Sequence, residues 1–575
     1  WERRSVVGST KLLRGAVALI LGLGLIGSAC SSDKDDSGGA ATSANDSGGE
    51  VVDLGTFAAG EPDNIDPALT TELEAAQVTT ALFDGLTEFA YPTGSEKGEL
   101  KGLVAESWEP NADATEWTFK IRDGLKFSNG DPVLPSSFKV AWDRAANPLL
   151  AAGYGYLFGV VKGKAEWDKA AENKDTSVTG LSGVTADDAN LTLKVQLAYP
   201  YADFPSVVSH IIFSPVPEKV VAKVDDQSKW DRALMVGNGP FELAAPRNDR
   251  EIVITPNRNW KGDVVGTKKV SLDKVTFKIS KDVDTAFNAF QANEGQTSSI
   301  PSGKFDLVAP GGEYAETNTV TPQLGSSHFI FGMQDGSPVA GAKNLKLRQA
   351  ISLAINRDQI NRAVYNGSRL NSTGITPPGI PGFEKGLCDY CTTDMAKAKK
   401  LLSEWKAEGG SLPGPLTIQF NEGAGHEDLV AIIQANLKEL GVDAQQDGRS
   451  DETYYDEISS GGCVLCRAGW AWDYPIYDNG MFDLFSKASI GPGSNNLGQY
   501  SSDEFSSLVD DARRDPDDAS RQAKFRQAED IVLNQDTAVV PLVWDQGDYL
   551  YSSKLVNFHQ EPLGWVRWEQ VGLKK

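Results

Sequence analysis

The chain has 575 residues and a formal net charge of −24, from 79 acidic against 55 basic side chains, with only four histidines. Such an acidic balance argues against a nucleic acid partner and favours solubility. The length exceeds what one hydrophobic core supports, so two or three lobes are expected.

Residues 1–14 carry Arg3, Arg4, Lys11 and Arg14, and residues 15–29 form an uncharged, mostly apolar run that ends in small side chains. That order reads as a signal peptide over residues 1–29. As a helix the apolar run spans only about 22 Å, short of the ~30 Å hydrocarbon core, so a permanent transmembrane helix is not expected. Its removal takes away a net +3 and leaves a mature chain at −27. Gly27-Ser28-Ala29-Cys30 resembles a bacterial lipobox, with Gly27 in place of the usual leucine. The resemblance implies that Cys30 is lipidated and becomes the first mature residue, anchored by two acyl chains. The alternative is an ordinary secretory signal with an incidental cysteine. Residues 31–50, SSDKDDSGGAATSANDSGGE, contain no aromatic and nothing apolar larger than alanine. They cannot bury a core, and 20 residues of flexible coil reach roughly 25 Å, so residues 30–50 read as a lipid-anchored tether.

The body behind the tether mixes two periodicities. In WTFKIR, Trp117, Phe119 and Ile121 share one face while Thr118, Lys120 and Arg122 share the other. LTLKVQL from Leu191 and VTFKIS from Val275 alternate likewise, and all three predict half-buried strands. Asp187-Asp188-Ala189-Asn190 predicts a hairpin turn before Leu191. Asp394 can cap a helix carrying Met395, Ala398, Leu401, Leu402 and Trp405, with Gly409-Gly410 beyond its end. LTIQF at 416–420, a helix with Leu429, Ile432, Ile433, Leu437 and Leu440, the stop at Gly441 and an extended piece from Val442 predict a parallel β-α-β crossover. The fold class is α/β with additional antiparallel structure.

Apart from Cys30, the cysteines form two C-x-x-C pairs, Cys388/Cys391 and Cys463/Cys466. Such pairs can bind zinc, but an exported compartment is oxidising and favours disulfides. In a regular strand over 463–469, positions three apart lie about 10 Å from each other, beyond disulfide reach. A Cys388–Cys391 bridge is therefore the safer expectation, unless a turn opens at Gly461-Gly462-Cys463. His210, His328, His426 and His559 are widely separated and lack metal spacing, and no nucleophile elbow, phosphate loop or dinucleotide fingerprint occurs. Binding is favoured over catalysis, with no catalytic residue, metal or cofactor assigned.

RAGWAWDYP at 467–475 is the densest chemistry in the chain. An extended segment there puts Trp470 and Trp472 on one face with Arg467 and Asp473 close by. Aromatics make pocket walls, while one cation and one anion receive the two ends of a zwitterion such as a peptide. A core strand with a structural Arg467–Asp473 ion pair is the alternative.

At these residues the chain resembles the extracytoplasmic solute-binding proteins of family 5, the dipeptide- and oligopeptide-binding subunits of ATP-driven (ABC) importers. EPDNIDPA at 61–68, LVAESWE at 103–109, WTFKIRDGLKFSNGDPV at 117–133, GNGPFEL at 237–243, LRQAISLAINRDQI at 347–360, DMAKAKKLL at 394–402 and WAWDYP at 470–475 follow in the family's order. The resemblance implies a two-lobed periplasmic-binding-protein-like fold whose lobes hinge shut on a ligand. Lobe I would span 51–326, with an inserted subdomain at about 90–220, lobe II 327–544, and residues 545–575 would return to lobe I. It further implies that Asp473 receives a peptide α-amino group and that Arg467 meets a carboxylate. Backbone around Gly469, Trp470 and Ala471 would pair with ligand main chain, with Trp472, Tyr474 and Glu61 nearby. Trp472 stands where relatives often have a small residue. The implied partners are peptide, permease and ATPase subunits, and the outer face of the cytoplasmic membrane through the anchor, for a monomer. An oligosaccharide or other small solute in the same fold is the runner-up, and an exported zinc-dependent enzyme using the C-x-x-C pairs comes third.

Overall fold

The computed structural model describes residues 48–91, 98–224, 226–233, 235–264, 266–423, 425–491 and 493–574. The expected signal peptide, Cys30 and nearly all of the tether lie outside them. Glu50, counted with the tether on composition, already opens the strand Glu50–Phe57: its backbone pairs with Lys274 and its carboxylate meets the lysine ammonium at 2.7 Å. Among the described residues no helix is long and apolar enough to cross a membrane.

Alternating segments become strands. Glu116–Ile121 buries Trp117, Phe119 and Ile121 and keeps Thr118 and Lys120 outward. Side chains of this size contribute about 1.5–3 kcal/mol each when buried. The strand lies in a four-stranded antiparallel sheet ordered Ala105–Pro110, Glu116–Ile121, Thr192–Gln196, Val184–Asp187. The turn expected at 187–190 joins the last two, with Asn190 N–H donating to Asp187 Oδ1 at 3.0 Å. Helix Pro135–Ala146 covers this sheet with fully buried Phe138 and Trp142, and Trp142 Nε1 donates to the Phe213 carbonyl at 2.8 Å.

Two six-stranded sheets carry the rest. The first runs Tyr549–Tyr551, Thr297–Ser299, Glu50–Phe57, Lys274–Ile279, Glu251–Pro256, Phe241–Leu243, and shares one continuous apolar core with the four-stranded sheet. The second runs Leu370–Asn371, Val539–Gln546, Pro322–Phe331, Leu465–Ala471, Leu416–Asn421, Ala444–Arg449. Its strands alternate between two cores: Phe329, Phe331, Leu465 and Val540 face one, while Ile330, Cys466, Ala468 and Val539 face the other. Helix His426–Leu440 makes the expected crossover between the parallel strands Leu416–Asn421 and Ala444–Arg449, ending at Gly441 with φ 94°. Asp394 caps helix Met395–Ala407 by accepting from Lys397 N–H at 2.9 Å.

The chain passes between the six-stranded sheets twice, through residues 300–321 and 547–548. These passages run side by side: Gly547 N–H donates to Thr321 C=O at 2.9 Å, Thr319 N–H to Tyr549 C=O at 2.9 Å, and Tyr551 N–H to Thr317 C=O at 3.0 Å. The two halves meet again at residues 199–203, which follow the four-stranded sheet. There Ala202 N–H donates to Arg513 C=O at 2.8 Å, Arg521 Nε pairs with Asp203 at 2.9 Å, and the Tyr201 hydroxyl donates to Asp478.

Candidate ligand-binding site

The strand Leu465–Ala471 is the floor of the site, and its start is set by a turn. Ile458–Gly462 closes with Gly461 at φ 94°, so regular strand begins only at Leu465. Cys463 therefore lies in non-strand backbone, its Cα 5.8 Å from that of Cys466, and the two are bonded. The turn at 461–463, the stated exception, thus lets the second pair close as well as Cys388–Cys391. With these four sulfurs bonded in pairs, the thiolates that a zinc enzyme would need are consumed.

Along its whole length the strand pairs with Pro322–Phe331, from Phe331 opposite Leu465 to Gly325 opposite Ala471. On its other side, Leu416–Asn421 pairs only with Leu465 and Cys466. Trp472 N–H donates to Leu324 C=O at 2.8 Å, which fixes the phase of the antiparallel ladder. Hydrogen-bonded and non-bonded positions alternate, so Gly469 and Ala471 turn their N–H and C=O groups toward the open edge. That edge faces a cavity holding about 1380 Å³ of empty space, part of it open to solvent. The second half contributes Arg467, Gly469, Trp470, Ala471, Trp472 and Asp473 to its walls; the first half contributes Glu72, Tyr154, Tyr156 and His210.

Asp473 is held from both halves. Its Oδ2 accepts from Tyr156 Oη at 2.6 Å and from Asn479 Nδ2 at 2.9 Å. Asn479, fully buried, also donates to Asp483 at 3.1 Å and accepts from Asp473 N–H at 2.8 Å and Trp470 Nε1 at 3.3 Å. Burial, reinforced by the charges of Asp478 and Asp473, holds the Asp483 carboxyl well above the usual carboxylate range. Arg467 donates from Nη1 to Asn421 Oδ1 and Tyr455 Oη, both at 3.3 Å, while its buried Nε has no hydrogen-bond partner among the described residues. His210 is neutral, because burial pushes its imidazole down to about 3 and its Nδ1 accepts from Ile212 N–H. A neutral ring there does not repel an arriving ammonium.

Six of the sequence-predicted residues, Arg467, Gly469, Trp470, Ala471, Trp472 and Asp473, thus share one cavity. Tyr474 does not line it; its ring packs into the core of the first half. Nor does Glu61, whose carboxylate is taken by Arg232 at 2.8 Å and Arg247 at 3.3 Å beside a neighbouring cavity. Sequence reasoning missed Tyr154, Tyr156, Glu72 and Asn479, and set His210 aside as scattered. The Tyr154-Gly155-Tyr156 repeat was the one local signal for the first pair.

The profile of the bacterial extracellular solute-binding proteins, family 5, matches residues 99–492, and the chain belongs to that family. It is 27% identical over 492 residues to the oligopeptide-binding protein OppA of Bacillus subtilis, covering 83% of this chain and 84% of that one. It is 26% identical over 518 residues to the dipeptide-binding protein DppE of the same organism, covering 88% and 89%. The unliganded open form of MppA, a periplasmic murein tripeptide-binding protein, shares the fold with a TM-score of 0.74 at 24% identity, over 92% of this chain and 97% of that one. The two-lobed α/β architecture expected from the sequence is therefore the observed one.

Proposed function

We propose that this chain is a lipid-anchored receptor that captures short peptides between its lobes and hands them to the permease of an ABC importer. The observation that carries the reading is the open edge at Gly469 and Ala471, flanked by a carboxylate and a guanidinium. An extended peptide can add there as a strand, its main chain read by backbone groups and its ends by Asp473 and Arg467. From 467 to 473 the backbone spans about 20 Å and both side chains reach inward, so three to five ligand residues would meet both ends. The names of OppA and DppE, which bind oligopeptides and dipeptides, point the same way. Trp470 and Trp472 are 7% and 4% exposed, which leaves little indole face for a stacked sugar and favours peptide over oligosaccharide. No catalytic role is needed for any residue of the cavity. Lobe boundaries near 326 and 544 and a monomeric state belong to the same proposal.

Calorimetry with tri- to pentapeptides tests it: binding of free peptides, weakened by N-acetylation, is expected, and no binding of either form overturns it. Mass spectrometry of the mature N-terminus tests the anchor, with a diacylglyceryl adduct on Cys30 as the expected result.

A further inference from the structure

A second cavity, sharing no lining residue with the cleft, has walls of opposite character to the molecule as a whole. It encloses about 1020 Å³, partly open to solvent, and five cations line it: Lys101, Arg122, Lys126, Lys261 and Lys268. Two carboxylates line it as well, Asp84 and Asp263. Asp84 is turned inward, accepting from Trp260 Nε1 at 2.8 Å, and Asp263 accepts from Gly266 and Thr267 N–H groups and from Gln570. Among the described residues Lys126, Lys261 and Lys268 have no carboxylate partner, and the Arg122 guanidinium donates to the carbonyls of Leu103 and Gly102. In a chain of net −24, which pairs many of its surface lysines with acids, three lysines around one cavity stand unneutralised.

The position of the cavity gives the charge a direction. Residues 257–273, which supply Trp260, Lys261 and Lys268, join Pro256 to Lys274, and Lys274 pairs with Glu50 at the start of the first strand. Asp273 N–H donates to Gly49 C=O at 2.9 Å. The described chain therefore begins against the end of the segment that supplies these lysines. The cleft-side end of the same strand, at Phe57, lies about 23 Å away. We propose that the basic cavity docks the body on the anionic phospholipid headgroups of the membrane to which the tether confines it. The remaining negative charge does not oppose this contact strongly, because charges beyond a Debye length of about 8 Å are screened at physiological salt. Lysines at such a surface add attraction individually, each about fivefold in partition.

The test is vesicle flotation of the non-acylated chain starting at Ser31, which retains every described strand and core. Vesicles of phosphatidylcholine alone are compared with vesicles containing about one-third phosphatidylglycerol. Expected is flotation with the anionic vesicles only, lost as salt rises, and lowered about a hundredfold in Lys126→Gln/Lys261→Gln/Lys268→Gln. Peptide affinity of that triple variant should match the parent, so failure here is distinguishable from failure of the receptor reading. Equal flotation with both vesicles, or an unaffected triple variant, overturns the proposal. So does millimolar inorganic phosphate that abolishes binding at constant ionic strength, which would mark a site for free phosphate. Flotation that appears only after Asp33, Asp35 and Asp36 are replaced by asparagine overturns it in favour of the chain's own acidic tether as occupant.

Discussion

Asp473 accepts two hydrogen bonds that hold its carboxylate at the cavity wall, from Tyr156 and from Asn479, and a ligand ammonium would add charge to that set. Asp473→Asn keeps the shape and removes the charge. Affinity for peptides with a free amino terminus is expected to fall by about 2–5 kcal/mol in calorimetry, with N-acetylated peptides barely affected. Asp84 gives a pH signature instead. Burial raises its carboxyl from 3.8 to about 7, so the folded chain binds more protons than the unfolded chain between those values. Stability from this group is therefore highest at low pH and is lost as pH rises through about 7. Asp84→Asn can still accept from Trp260 Nε1 and cannot ionise. Denaturation curves between pH 4 and 7 should show the variant gaining on the parent as pH rises.

Helix Tyr477–Phe485 supplies both Asn479 and Gly480, and the glycine is the seat of an indole. A Cβ on Gly480 would lie 2.7 Å from the Trp472 ring, so Gly480→Ala must displace a side chain that lines the cavity. A cost of about 1–3 kcal/mol in stability is expected, together with loss of peptides bearing bulky side chains. Trp472→Ala should do the reverse for ligand size, admitting bulkier peptides in competition binding. The elements themselves were legible because the signals are local: period-two runs such as Glu116–Ile121, the Asp394 cap and the Gly441 stop each depend on neighbours within one or two turns. The site was legible only where one segment carries it, at 467–473. Tyr156 reaches Asp473 across 317 positions, and Glu61 is diverted by Arg232 and Arg247 more than 170 positions away, pairings that no local pattern announces. The second disulfide depended on whether backbone at 463 was strand or turn, which alternation alone left open.

Across the whole molecule, residues 199–203 fasten one half to helices of the other through Arg521, Arg513 and Asp478. Arg513 is nearly encased, with its guanidinium 3.6 Å from the Phe482 ring centre and donating to Tyr199 Oη at 3.1 Å. Arg521→Gln removes an ion pair at this seam while sparing the cavity. Small-angle scattering is expected to show a larger ligand-free radius of gyration than the parent, with compaction restored by saturating peptide. The two passages that join the halves are bonded to each other as a narrow ribbon, and a ribbon turns about its long axis far more readily than it slides. Such a joint favours one motion, so a ligand could be held on one half before the other shuts upon it. A molecule too long for the cleft would register in a binding assay yet leave the outline ajar. If a permease reads closure rather than capture, the cleft acts as a gauge, reporting not that something has been caught but that it fits.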